Sequence, residues 1–205
     1  WTGGDSLEVD IPADVNYTQA PGPGKLTISG PKAMVDAVEV EGGHISFAHD
    51  RHGFHWGDLV ITMTAPSVNR FELSGSGKLS IAGYKQDKLA LDLSGDADVS
   101  ATGETQAVSL TISGSANADL AGLKARSANV DIQGSGDATL APTEAANIDI
   151  SGSGDVTLLT HPPKLQTNIS GSGSLSQEGR ETDITPPSPP APPAPPSPPK
   201  HAKRL

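Results

Sequence analysis

The segment HISFAHDRHGFHWGD holds four of the chain's six histidines, His44, His49, His52 and His55, together with Asp50 and Asp58. Neutral imidazoles spaced by three residues can share a helix face and ligate a divalent metal. Gly53 and Gly57 interrupt the segment, and strand-like runs flank it. On a strand, odd spacing sends successive side chains to opposite faces, so a surface loop with scattered histidines is the expected context. A second candidate is a column of residues, each three positions after a recurring glycine: Lys78, Asp98, Asn117, Asp137, Asp155 and Ser174. Asp137 and Asp155 should lie on adjacent layers, about 5 Å apart. Paired carboxylates can hold calcium or act as acid and base. Calcium-binding β-rolls, however, use a nine-residue period, and acids at turns ordinarily accept bonds from nearby backbone amides. Ser74, Ser94, Ser113, Ser151 and Ser170 form a third column, completed by Gln133. Their hydroxyls could bond along a stack of strands, but no histidine and acid stand at a hydrolase spacing to activate them. No catalytic, cofactor or metal site is therefore expected. His49, His52, His55, Asp137 and Asp155 are the residues that would form one.

These columns exist because one short phrase recurs six times. FELSGSGKL, LDLSGDADV, LTISGSANA, VDIQGSGDA, IDISGSGDV and TNISGSGSL have their first glycines at Gly75, Gly95, Gly114, Gly134, Gly152 and Gly171, in steps of 20, 19, 20, 18 and 19 residues. A fixed period near 19 with no helical pattern between copies marks a stacked solenoid. Two residues before the glycine stand Leu73, Leu93, Ile112, Ile132, Ile150 and Ile169, and two earlier Phe71, Leu91, Leu110, Val130, Ile148 and Thr167. Polar residues separate the two columns, which is the alternation of a strand with one buried face. Four and six residues after the glycine the pattern repeats, from Leu79 and Ile81 to Leu175 and Gln177. The glycine turn joins the two strands, and beyond a second corner the sequence varies as a loop or weak third face should. The reading is an all-β parallel β-helix of about 19-residue rungs with two or three short faces, right-handed by the crossover rule. Gln177, replacing an aliphatic residue, marks the last rung as a cap.

Three zones follow: residues 1–70 as N-terminal β rungs or cap with the histidine-rich loop, 71–180 as the six-repeat helix, and 181–205 as a tail. The tail contains PPSPPAPPAPPSPP, which should be disordered polyproline II rather than fold. Aromatics are 3% of the chain and there is no cysteine, which excludes disulfides and thiolate chemistry. Phe54, Trp56 and Tyr84 are too few and scattered for a sugar-stacking platform; covering a solenoid end is the expected role. Net charge is −10, and the basic ending KHAKRL makes the preceding body more acidic still. An acidic body argues against nucleic acid, and no apolar run approaches the roughly 20 residues of a membrane-spanning helix. The chain begins with Trp1 rather than Met, consistent with a removed leader.

The string of SGSG-type turns, each preceded by an aliphatic–x–aliphatic strand, resembles the bacterial head GIN domain family, described as putative auto-transporter adhesins. VDIPADVNYTQAP, KLTISGP, VEVEGGHISF and LVITMTAPSV agree with it, so the resemblance covers about residues 6–180. It implies a β-helical, periplasmic, cell-surface or secreted domain and supplies no enzymatic residues. The expected function is a non-enzymatic, adhesin-like binding or structural domain with an unknown protein or glycan ligand. The tail would serve as a spacer, or contact an envelope polymer or a partner domain. The rivals are a polysaccharide-active β-helix enzyme and an assembly scaffold acting through the proline-rich tail.

Overall fold

A computed structural model describes residues 1–48 and 59–178. Its strands are β1 (Ser6–Val9), β2 (Ala13–Gln19), β3 (Lys25–Ser29), β4 (Val38–Glu41), β5 (His44–Phe47), β6 (Val60–Ala65), β7 (Arg70–Gly114), β8 (Asn117–Gly134), β9 (Ala138–Gly152), β10 (Asp155–Leu158), β11 (Lys164–Gly171) and β12 (Ser174–Gln177), with one short helix, α1 (Lys32–Val35). The long strands wrap through corners, so that one strand contributes to more than one face. The expected β-solenoid is what forms. Gly114 pairs with Gly134, Gly134 with Gly152, and Gly152 with Gly171, all in parallel.

The aliphatic columns become the core. Leu93, Ile112, Ile132 and Ile150 are stacked and fully buried, as are Leu110, Val130 and Ile148 two positions earlier. Leu120, Leu140 and Leu158 continue the core on the second strand, and Leu158 meets Gln177 at the last rung. Between the two strands the chain turns at the glycine column. At Gly134, φ is +148°, and an added Cβ would stand 2.2 Å from the Gly114 carbonyl oxygen. Both the dihedral and the closeness of the rungs call for glycine there. A third face is present in the middle rungs, where Glu104 pairs with Lys124 and Ala107 with Ser127. Register shifts between Ser100 and Gly103, and between Leu120 and Lys124, fall at its start. Bulges at this corner absorb the differences among periods of 18, 19 and 20 residues.

Two features are absent from the repeat pattern. First, rung order departs from chain order. β1 and β2 pair in parallel with the first repeat, Leu7 beside Phe71 and Val15 beside Leu79. β5 and β6 come later in the chain yet stack on the outer side of β1 and β2. Second, that outer end is closed by antiparallel strands, β4 on β5 and β3 on β6, with Met34 of α1 joining the core. The largest side chains gather toward this end: Tyr17 meets Phe71 edge to face at 5.0 Å, and Tyr84 is buried rather than available to a sugar. At the opposite end Gln177 is exposed as a cap residue should be, but Leu165 and Ile169 remain 37% and 39% exposed. That rung is therefore only partly polar. Phe54, Trp56 and the proline-rich tail lie outside the described residues.

Candidate functional site

Asp137 and Asp155 lie on adjacent rungs and act on the backbone. Asp137 Oδ1 accepts the Asp155 N–H at 2.9 Å, and Asp155 Oδ1 accepts both the N–H and the hydroxyl of Ser174 at 2.8 Å. In the same column Asn117 donates to Asp98 at 3.1 Å. These carboxylates carry satisfied, solvent-facing hydrogen bonds that tie each turn to the next. The serines before the glycines form no ladder of their own among the described residues. The ladders run elsewhere, through Asn147 to Asn129 (2.8 Å) and Asn168 to Asp149 (3.2 Å). His49, His52 and His55 lie outside the described residues.

His44, from the same segment, opens β5. Its Nε2 lies 2.7 Å from Asp10 Oδ2. That hydrogen bond raises its pKa above the usual imidazole value; desolvation opposes it, and the charges of Glu8, Asp10 and Glu41 each add a lesser upward effect.

A groove of about 860 Å³ runs across successive rungs at the corner before the first strand. Its floor is the stacked column Leu89, Val108, Ala128 and Ala146. One wall carries Ser109, Asn129, Asn147 and Gln166; the other carries Ala107, Ser127 and Ala145. Small residues in that second column indent the surface, where a larger side chain on each rung would fill it. Lys88 and Arg70 stand at one end and Lys164 at the other, and among the described residues no carboxylate lines the groove. Arg70 is engaged with Glu72 and reaches Asp92 at 3.8 Å. Lys88 and Lys164 have no ion-pair partner among the described residues. In a chain of net charge −10, this is a local reversal of sign. Sequence reading passed over the groove, although its signal was present: Ala107, Ser127 and Ala145 recur seven residues before Gly114, Gly134 and Gly152.

A single-chain parallel β-solenoid with an open, rung-spanning groove is a scaffold whose wall is available to an extended partner. Residues 5–162 match the sequence family described as putative auto-transporter adhesin, head GIN domain, and the chain belongs to that family. Among solved structures, it is similar to a putative adhesin from Bacteroides fragilis, with a TM-score of 0.67 and 21% identity over 84% of this chain and 91% of that one. It is also similar to a putative lipid binding protein from Parabacteroides distasonis, with a TM-score of 0.52 and 19% identity over 85% of this chain and 92% of that one. At these identities the likeness shows the fold. No curated protein matches the sequence. Among the described residues no helix is long and apolar enough to cross a membrane.

Proposed function

We propose that this chain is a non-enzymatic, adhesin-like binding domain of the cell envelope or of a secreted protein, and that the groove wall is its binding surface. The observation that carries this reading is the continuous groove, in which side chains of the same type recur on successive in-register strands. A ligand laid along the solenoid axis meets an apolar floor, an amide and hydroxyl wall and, at the ends, lysines with no ion-pair partner among the described residues. No carboxylate among the described residues lines this groove, so it does not supply the two acids flanking one bond that glycoside hydrolysis ordinarily needs.

The test is adherence of the purified full chain to bacterial cells and to immobilised protein and glycan surfaces. Ser127→Trp and Ala145→Trp fill the groove from its exposed side and should abolish adherence while leaving the circular dichroism spectrum and melting temperature near wild type. Retained adherence in both variants would place the binding surface elsewhere. Release of reducing ends from acidic polysaccharides would favour the enzyme instead.

A further inference from the structure

The permuted rung order brings together side chains far apart in sequence. β5 stacks on β1 so that His44 pairs with Glu8 in the outward-facing column and Ile45 pairs with Val9 in the buried one. Asp10 follows directly on β1 and reaches back to the His44 imidazole. Glu8, Asp10 and His44 each offer one ligand atom, and these atoms all lie within 4.8 Å of one another. We propose that Glu8, Asp10 and His44 form a binding site for a borderline divalent transition ion, of which Zn²⁺ is the representative.

The donor set is mixed. One imidazole and two carboxylates suit zinc and its neighbours, whose bonds to nitrogen and carboxylate oxygen are about 2.0–2.2 Å long. Calcium and magnesium prefer all-oxygen shells. Closing atoms that lie within 4.8 Å of one another onto one ion takes side-chain rotation, which the solvent-facing carboxylates of Glu8 and Asp10 can supply.

The backbone beneath is already fixed. The Glu8 N–H donates to the Gly43 carbonyl at 2.9 Å, and the Asp10 N–H to the Ile45 carbonyl at 3.0 Å, so the two carboxylates bracket the histidine. Gly42 and Gly43 have φ of +56° and +99°, making the tight hairpin turn that ends at His44. A Cβ at Gly43 would stand 2.6 Å from the Ser6 carbonyl oxygen. The hairpin is therefore seated hard against β1, and a site built on paired strands keeps its spacing better than one on a loop.

The charge balance points to a cation as well. Glu8, Asp10 and Glu41 all act on His44, yet none of the three has a lysine or arginine partner among the described ion pairs. Arg70, whose neighbour in the strand register is Ser6, is committed to Glu72 and Asp92. A single imidazolium offsets one negative charge of the three, whereas a divalent ion offsets two and engages both Glu8 and Asp10.

The test is calorimetric titration of the full chain with ZnCl₂ after treatment with a chelator. It is made in a background in which His49, His52 and His55 are replaced by glutamine, so that those histidines do not contribute. Binding at micromolar zinc is expected, with a loss of at least tenfold in affinity in His44→Gln and in Asp10→Asn. Calcium should not compete at equal concentration. Both variants alter exposed side chains, and circular dichroism in chelator checks that they fold. Zinc should raise the melting temperature of the parent chain and leave that of His44→Gln unmoved. No binding by the parent up to about 100-fold above that range would overturn the site. So would affinity unchanged by both substitutions, or an equal thermal shift in parent and variant.

Discussion

Replacing Gly134 by alanine separates two reasons for glycine at the corners, when it is compared with the same change at Gly75. Both residues have nearly the same dihedral, φ of +148° at Gly134 and +146° at Gly75. Either alanine therefore pays the conformational cost of a side chain in a positive-φ region essentially reserved for glycine, about 1–3 kcal/mol. The surroundings differ. At Gly75 a Cβ meets nothing within 4 Å, whereas at Gly134 it stands 2.2 Å from the Gly114 carbonyl oxygen and 3.1 Å from two further Gly114 backbone atoms. A carbon and an oxygen come to rest more than 3 Å apart, so the rungs must part by about 1 Å where backbone bonds hold them near 4.8 Å. Overpacking of that kind costs a further 1–3 kcal/mol or so. Gly134→Ala should thus lose about 2–6 kcal/mol and Gly75→Ala about 1–3 kcal/mol. In urea, followed by far-ultraviolet circular dichroism with an unchanged slope near 2 kcal/mol/M, the two midpoints should differ by about 0.5–1.5 M. Equal losses, within about 0.5 kcal/mol, would show that dihedral preference alone explains the glycines and that the close approach of rungs is relieved at no cost.

Three further outcomes follow from burial and hydrogen bonding. Ile150→Ala, at a fully buried position, should lose about 2–5 kcal/mol. Ile169→Ala, one rung on in the same column but 39% exposed, should lose about 1 kcal/mol or less by the same denaturation assay. Asp155→Ala removes the acceptor for the N–H and hydroxyl of Ser174; it should cost about 1 kcal/mol and quicken hydrogen exchange at the Ser174 amide without affecting Gly134. The chain's two tyrosines, Tyr17 and Tyr84, are both buried. Desolvation pushes the Tyr17 phenol up to about 12, against a smaller opposing effect of a backbone hydrogen bond, and raises Tyr84 as well. Unfolded phenols release their protons near 10 while the folded ones hold them. Stability is therefore full below pH 10 and is lost as pH rises toward 12 and beyond. Absorbance at 295 nm should show no ionisation near pH 10, and the phenolate signal should rise together with loss of strand signal. Two independent ionisations near 10 in the folded protein would refute the burial argument.

The repeat was legible because each rung uses the same few residues in the same columns. Leu110, Val130 and Ile148 are readable as one buried stack before any strand is seen, since alternation and period together fix which face they occupy. Rung order was not legible. LEVDI and VNYTQ read as strands, but nothing in them says that β1 lies between β5 and β7. That order is decided by end closure, where antiparallel β3 and β4 cover the edge, and closure is a property of the assembled sheet. The same permutation hid the Glu8, Asp10 and His44 cluster, in which the histidine lies 34 residues from Asp10 and 36 from Glu8 along the chain. Histidine density drew attention to His49, His52 and His55, while the described histidine with carboxylates around it is the one that opens β5. The groove was hidden for a different reason. Alanine and serine in a repeat read as tolerated small residues, and only the stack of three makes them a channel.

The two ends of the solenoid are finished by different chemistry, and that difference favours the side wall as the functional surface. At the outer end, chain reversal supplies strands that close the sheet edge. After β12 a further rung would need aliphatic residues about 19 positions beyond Thr167 and Ile169, at 186 and 188. Those positions hold Pro186 and Ser188, followed by the run of prolines to Pro199. Proline has no N–H to donate to β11 or β12, and serine does not extend the buried column. Leu165 and Ile169 therefore border a rung on which the following sequence cannot build another of the same kind. Natural sheets blunt such edges with proline and charge rather than recruit partners along them, and the sequence from Pro186 onward has that composition. Along the long wall the strands are already paired on both sides, and Ala107, Ser127 and Ala145 keep the groove open on three rungs in succession, with Lys88 at one end and Lys164 at the other.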